Sequence, residues 1–293
     1  MDHVVGAVQV GSEQDPFSLT LGGQPFRCTT VEDSIRQRTQ DAKRVGVDFV
    51  GVADGASPLG PMRAGEPGEF AADALRALED HRSPDAEQMF DLALRQMARS
   101  GTSIDPADAL SCTVGLVYLV DAGAVAATVL GDCTIVIRRA GKPDIMVTDR
   151  RLAARDRAAT NALAAELGKH GDQEAAFKAV LPMLRKHRAE SNTPGSYWVV
   201  SGDPRAAAET VSQRVALSEI QAILLYTDGF ERLIEPFALA DSPSQLIRSA
   251  EAHGLANLLG RLRGKENMPD SLVRYPRLSK SDDVTAILLE RES

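Results

Sequence analysis

The feature that most constrains this chain is an apolar run that ends abruptly in an acid. Residues 45–55 read VGVDFVGVADG, rich in β-branched residues, and close on Asp54 and Gly55. This composition predicts a buried strand. A carboxylate at the end of a rigid strand is well placed for chemistry, and the glycine beside it lets the backbone come close to a ligand. The run therefore predicts a core strand that delivers an acid to a site.

The same pattern returns further along the chain. Apolar runs at 222–229 and 125–132 end in Asp228-Gly229 and Gly131-Asp132, and Asp282 with Asp283 opens the last apolar run. A single Asp-Gly after a strand is most often a turn. Several acids beside core strands repel one another unless a cation neutralises them. Taken together, the acids predict a metal site at one rim of the fold.

Hydrophobic periodicity predicts groups of strands separated by pairs of helices. Strands are expected at 4–10, 17–21, 45–54, 112–120, 124–130, 133–139, 145–148, 197–201, 218–226 and 284–290, and helices at 69–81, 85–99, 150–190 (broken at 168–171) and 243–263, with 27–44 as a loop. The runs from 112 to 148 predict an antiparallel meander.

This order is not a regular βαβ alternation. It favours an α+β fold of two packed, mostly antiparallel β-sheets flanked by helices, an αββα sandwich. No Gly/Ser linker divides the chain, so we expect a single catalytic domain over 1–293, with a variable helical or flap region at about 150–200.

Composition limits the partners. The net charge of −8 leaves no excess of cations for phosphate backbones, so we expect no nucleic acid. No apolar stretch approaches the roughly 20 residues of a membrane helix, and we expect no membrane. Cys28, Cys112 and Cys133 have no paired spacing, which indicates a reducing compartment and excludes a Cys-ligated zinc site. With no signal-peptide pattern at the N-terminus, the expected location is cytoplasmic.

The donor atoms of the acidic strand ends indicate a class of chemistry. Oxygen-only ligation points to a hard cation, Mg²⁺ or Mn²⁺, rather than zinc. Two such ions bridged by one carboxylate activate water and hold a phosphoryl group. The residues by themselves therefore predict metal-assisted hydrolysis of a phosphoester.

The motifs of this chain also follow a known order. They are RQRTQDA at 36–42, VADG at 52–55, SCT at 111–113, GDC at 131–133, YTDG at 226–229 and DDVT at 282–285. This ordered set resembles the metal-dependent protein phosphatases of type 2C (the PPM family) in their compact bacterial form. The resemblance implies a serine/threonine phosphoprotein phosphatase in which water activated by two Mn²⁺ or Mg²⁺ ions attacks phosphorus without a phosphoenzyme. It also implies a phosphorylated protein substrate and a cognate Ser/Thr kinase as partners.

Residue roles follow from the resemblance. It implies that Asp54 bridges the two ions, that Asp228 is catalytic with it, and that Arg36 grips the substrate phosphate as a catalytic and binding residue. The metal ligands that it implies are Asp54, Gly55 (through its carbonyl), Asp228, Asp282, Asp41 from the first motif and, for a third and weaker ion, Asp132.

Several alternatives stay open at this stage. The first motif can instead be placed on Arg27 with Glu32 and Asp33. No His follows Asp54, so a histidine general acid is absent there, and Asp283 stands where the family has Asn. A pseudophosphatase that acts as a regulatory binding module is one alternative function. Another is a small-molecule phosphatase with a closed pocket formed by residues 56–68 and 150–196.

Overall fold

Two antiparallel sheets form the centre of the protein. The computed structural model describes residues 13–36, 38–57, 59–60, 66–98 and 109–292, so the predicted strand at 4–10 lies outside the described residues. The first sheet has six strands in the spatial order β1 (Glu13–Leu21), β2 (Gln24–Asp33), β11 (Val284–Arg291), β10 (Ile220–Tyr226), β7 (Thr134–Arg139) and β8 (Lys142–Val147). The second has five, in the order β3 (Asp41–Gly46), β4 (Phe49–Gly55), β5 (Cys112–Asp121), β6 (Ala124–Leu130) and β9 (Val211–Ala216).

Eight helices are described around the two sheets. They are α1 (Glu66–Asp80), α2 (Ala86–Ala98), α3 (Ala153–His170), α4 (Gln173–Ala189), α5 (Asp228–Glu231), α6 (Pro243–His253), α7 (Leu255–Glu266) and α8 (Ser271–Arg274). Helices α1 and α2 pack on the second sheet, where Leu75 and Phe90 join its buried residues. Helices α6 and α7 pack on the first. None of the described helices is long and apolar enough to cross a bilayer.

A third apolar layer lies between the sheets. Val52 and Val117 from the second sheet share one buried cluster with Ile223 and Ile287 from the first. Burying aliphatic side chains of this kind stabilises the fold by about 1.5–3 kcal/mol each. The predicted αββα sandwich is therefore confirmed, with the sheet-to-sheet interface as its central core.

Two predictions near the N-terminus are wrong. The stretch 27–44 is not a loop, because most of β2 and the start of β3 lie within it. The run 45–55 is not one strand either: it turns at Asp48, which has a left-handed backbone with φ 55, and continues as β4. Asp48 Oδ1 accepts a hydrogen bond from Gly22 N at 2.7 Å, which ties this hairpin to the turn between β1 and β2. A short polar residue that tolerates positive φ thus breaks an otherwise apolar run.

Two predictions in the middle of the chain also need correction. Residues 112–148 do not form one meander: β5 pairs with β6 in the second sheet, but β7 pairs with β8 in the first. The chain crosses between the sheets at Gly131, whose φ of 88 suits glycine. Residues 197–201 do not form a strand and contribute only an isolated bridge between Val200 and Cys112. Strand β9 was not expected, because four of its six residues are exposed and only one is fully buried.

The predicted pair of helices in the flap region is confirmed. Helix α3 ends at Gly171, which is left-handed (φ 66) and donates its N–H to the Leu167 carbonyl at 2.8 Å. Asp172 then caps α4 by accepting from Ala175 N at 2.8 Å. The two helices form an antiparallel pair that we call the α3–α4 hairpin.

Candidate active site

Strand ends from both sheets deliver five aspartates to one rim, and we call these five the acidic cluster. Asp41 opens β3 and lies directly opposite Asp54 near the end of β4. Asp132 follows β6 at the crossing between the sheets, Asp228 follows β10, and Asp282 precedes β11. The sequence thus brings together acids that lie far apart along the chain because each one ends or opens a strand of the sandwich.

Glycines let the backbone close around this cluster. A Cβ added to Gly55 would lie 2.5 Å from the carbonyl oxygens of both Gln40 and Pro67. A Cβ on Gly229 would overlap the carbonyl oxygen of Asp283. Only glycine fits at these two places, so the Asp-Gly pairs seen in the sequence are close packing points rather than simple turns.

Burial and mutual repulsion raise the pKa values of the acidic cluster. Burial raises the pKa of Asp41 well above its usual value; the charges of Asp283, Asp228 and Asp282 add to the shift, and a hydrogen bond from Thr227 at 2.8 Å opposes it. Burial and then the charges of Asp228 and Asp41 raise the pKa of Asp54 in the same direction. These carboxyl groups therefore resist carrying their charges together without a counter-ion.

The pKa values of Asp228 and Asp132 are raised in the same way. Asp228 is open to the cavity, yet the protein around it and the charges of Asp282 and Asp132 raise its pKa to about 7. Burial also raises the pKa of Asp132, although a hydrogen bond with Thr113 opposes the shift. Thr113 lies opposite Asp54 in the sheet and so stands between two members of the cluster, a position that its motif did not suggest.

After burial, the charge of Asp228 is the largest cause of the raised pKa of Asp54, and both carboxylates line the same cavity. Two carboxylates placed in this way are stabilised by a proton or a cation between them. Within the described part of the chain, however, no three His, Cys, Asp or Glu side chains converge closely enough to form a coordination shell as they stand. The all-oxygen donor set of the acids that line this cavity fits a hard divalent cation.

Asp282 is held by an arginine that sequence reasoning missed. Arg232 Nη2 donates to Asp282 Oδ2 at 2.6 Å, and its Nη1 donates to Glu266 Oε1 at 3.1 Å. Glu266 is fully buried, and Arg263 pairs with its other oxygen at 2.6 Å. The only signal in the sequence was the spacing: Arg232 follows Asp228 by one helical turn.

Arg36 lies in the wall of the cavity beside these acids. Its Nη1 donates to Asp283 Oδ2 at 2.9 Å and to the Gln40 side chain, and its Nη2 lies 3.3 Å from Ser57 Oγ. Asp283 is almost fully buried (2% exposed) and also accepts from Gln40 N at 2.7 Å. Asp283 is therefore the residue that fixes the guanidinium, a role that the sequence alone left undefined.

The alternative first motif lies elsewhere. Arg27 is exposed on β2, where it is paired with Ser18 and Glu290. Glu32 accepts a hydrogen bond from Lys43 Nζ at 3.0 Å, and Asp33 forms a buried ion pair with Arg263 at 2.6 Å. None of Arg27, Glu32 and Asp33 lines the cavity, whereas Arg36 does.

The cavity itself has a volume of about 530 Å³. Asp54, Asp132, Asp228 and Asp282 line it together with residues of the α3–α4 hairpin, which include Asp156. Asp41 and Gly55 lie behind this surface. Cys133 is buried with its Sγ 3.4 Å from Thr113 Oγ1, and burial raises the pKa of its thiol, which agrees with a packing role.

Comparisons with known proteins support the fold but not the identity of this chain. No family model matches it, and no curated protein matches it by sequence. The serine/threonine phosphatase PstP/Ppp of Mycobacterium tuberculosis matches with a TM-score of 0.51 at 15% identity, over 92% of this chain and 99% of that one. The catalytic domain of PstP in complex with two manganese ions matches with a TM-score of 0.50 at 15% identity, over the same shares, 92% and 99%. A bacterial serine phosphatase matches with a TM-score of 0.51 at 15% identity, over 91% and 98%.

Proposed function

We propose that this chain, which has the fold of the bacterial PPM-type serine/threonine phosphatases, is itself a metal-dependent phosphatase of phosphoserine and phosphothreonine. One observation carries the proposal: Asp54, Asp132, Asp228 and Asp282 line a single cavity that has Arg36 in its wall. Acids and an arginine in this arrangement suit a phosphate bound through cations.

The acidic cluster would hold two Mn²⁺ or Mg²⁺ ions. Asp54, Asp228 and Asp282, with the Gly55 carbonyl and Asp41, are the proposed ligands, and Asp132 is the proposed ligand of a third, weaker ion. When bound, such ions supply an activated water and positive charge for the phosphoryl oxygens.

The side chains around the cluster have separate tasks in this proposal. Arg36 binds the phosphate by the Nη2 edge that faces the cavity, because its Nη1 is already bonded to Asp283. Asp283 therefore orients the guanidinium, whose Nη2 also lies 4.0 Å from Asp282 Oδ1 in the acidic cluster. A guanidinium held in one orientation loses less entropy when phosphate binds.

The test is turnover of p-nitrophenyl phosphate and of a phosphoserine peptide with Mn²⁺, with Mg²⁺ and with EDTA. We expect activity with either metal and none after chelation. Asp54→Asn should abolish it, because the nucleophile depends on the ions that Asp54 holds. Full activity in EDTA would refute the proposal.

A second candidate, the pseudophosphatase, is favoured by the state of Asp282. Its Oδ2 is bonded to Arg232 at 2.6 Å, and Ser279 Oγ lies 3.2 Å away, so an ion must share this carboxylate with a buried cation. If calorimetry finds tight Mn²⁺ binding while no phosphoester is hydrolysed, this candidate replaces the first.

A further inference from the structure

The α3–α4 hairpin has a small core of its own. Leu163 on α3 packs with Ala176 and Val180 on α4, and half-buried apolar residues including Leu167 and Leu184 surround them. Because this core is separate from the layers of the sandwich, the hairpin is a unit laid over the rim that carries the acidic cluster.

The hairpin is attached on both sides of the cleft. On one side Arg188 Nη1 donates to the Ser57 carbonyl at 2.6 Å, and Arg185 Nη1 donates to the Leu59 carbonyl at 3.2 Å. On the other side Gln173 Nε2 donates to the Leu278 carbonyl at 3.4 Å, and the Leu278 side chain packs against the hairpin core. These attachments make the hairpin a roof over the cleft.

The underside of this roof carries an apolar patch. Ala159, Phe177 and Leu184 of the hairpin line the cavity, and Leu59, Val199 and Leu278 continue the same patch around it. The charged groups that line the cavity are the acids of the cluster, Arg36 and, from the hairpin itself, Arg155, Asp156, His187 and Arg188. A cavity of about 530 Å³ that combines an apolar patch with charged groups lies within the usual size range of ligand pockets, in which charged groups set the orientation of the ligand.

We propose that the α3–α4 hairpin forms a leaving-group pocket, so that this chain selects phosphomonoesters with an apolar group close to the phosphate. This inference rests on the proposed phosphatase function and names its substrate class. The phosphate faces the acids and Arg36, and the organic part lies against Phe177 and Leu184. The apolar group is either the body of a small ester or a side chain next to phosphoserine in a peptide.

Two substrate pairs test this. The first is 3-phenylpropyl phosphate against n-propyl phosphate, which release alcohols of similar basicity. The second is a phosphoserine peptide with Leu next to the phosphoserine against the same peptide with Ser there. With Mn²⁺, the apolar member of at least one pair should have a kcat/KM higher by about ten- to a hundredfold. The pair that is discriminated identifies the source of the apolar group.

A matched pair of variants locates the selectivity. Leu184 and Leu167 both pack on the hairpin core, but only Leu184 lines the cavity. Leu184→Ser should lower the preference by about tenfold, mainly through KM, while Leu167→Ser should leave it unchanged. If Leu184→Ser does not fold, Leu59→Ser on the opposite side of the cleft takes its place with the same expectation.

The outcomes separate this inference from the function it rests on. An active enzyme that discriminates neither pair, or an equal loss of preference in Leu167→Ser, overturns the pocket and leaves the phosphatase standing. Calorimetry with the phosphonate analogues of the two alkyl esters covers the opposite case. Preferential binding of the phenylpropyl analogue without any turnover supports the pocket and removes the phosphatase function.

Discussion

A substitution of Gly55 by Ala is the most direct test of how the backbone packs at the site. It follows Asp54, and its N–H donates to the Gln40 carbonyl at 2.9 Å. In Gly55→Ala the new Cβ would lie 2.5 Å from the carbonyl oxygens of Gln40 and Pro67 and 2.7 Å from the Pro67 carbonyl carbon. All three are backbone atoms, so no side-chain rotation relieves the overlap.

The size of the effect follows from these distances. Cβ atoms essentially never approach another heavy atom to less than 3.0 Å, so both oxygens must retreat by at least 0.5 Å, which is 3.0 minus 2.5. Overpacking costs about 1–3 kcal/mol, and two backbone overlaps place this change near about 3 kcal/mol. With an unfolding entropy of roughly 2.1 cal/mol/K per residue over 293 residues, the melting temperature should fall by about 5 °C.

Thermal unfolding in EDTA, followed by circular dichroism, measures this without the metal. Gly260→Ala is the matched control, because Gly260 lies in α7 and its added Cβ would meet nothing within 4 Å. That control should gain up to about 1 kcal/mol from helix propensity. Gly55→Ala should also lose turnover with Mn²⁺, since it displaces the backbone next to Asp54 and Asp41. A Gly55→Ala protein that melts at or above the wild-type temperature would show that the reasoning is wrong.

Three further predictions concern charge. Asp54→Asn should hold or raise the melting temperature of the metal-free protein, because it removes one of several repelling carboxylates. Its turnover should fall by several orders of magnitude. A lower melting temperature of this variant in EDTA would argue against the repulsion. Metal-free stability should fall as pH rises from about 4 to about 7, since the pKa of Asp228 is raised to about 7 and the folded state binds more protons than the unfolded state across that window. Urea unfolding at pH 5.5 and pH 8 checks this, and Asp228→Asn should show a shallower fall than wild type; an equal slope contradicts it. Arg36→Ala should lower kcat/KM by about ten- to a hundredfold, and Arg36→Lys should restore it only partly. Arg27→Ala should behave like wild type. Steady-state kinetics that place the defect at Arg27 would reassign the first motif.

The sequence predicted the elements that are strongly patterned. Strands β10 and β11 are continuous apolar runs, and their ends were expected to carry Asp228 and Asp282. The two-sheet sandwich followed from the order of such runs. Strand β2 was missed because it carries the charged residues Arg27, Glu32 and Asp33. Some of these charges are neutralised by ion pairs that exist only in the folded chain, such as the pair between Asp33 and Arg263.

The parts of the site that could not be predicted depend on long-range contacts. Arg232 and Glu266 are 34 residues apart and meet only because α7 packs beside the end of β10. Asp283 was noted only as standing where the family has Asn, since nothing local shows that it faces Arg36. The turn at Asp48 is different: an Asp within an apolar run was visible, but the surrounding β-branched residues outweighed it.

The contacts of Asp283 also indicate when the candidate site forms during folding. This carboxylate joins Ser34, Arg36 and Gln40 to the start of β11, across 243 residues of sequence in the case of Gln40. Strand β11 lies between β2 and β10 in the interior of its sheet rather than at an edge. A fragment that lacks it would leave two long strands with unpaired backbone groups and would free Arg36 from its anchor. Such distant pairings form late and slowly, so the capacity to bind phosphate should appear in one step with the completed sheet rather than grow gradually with helix formation.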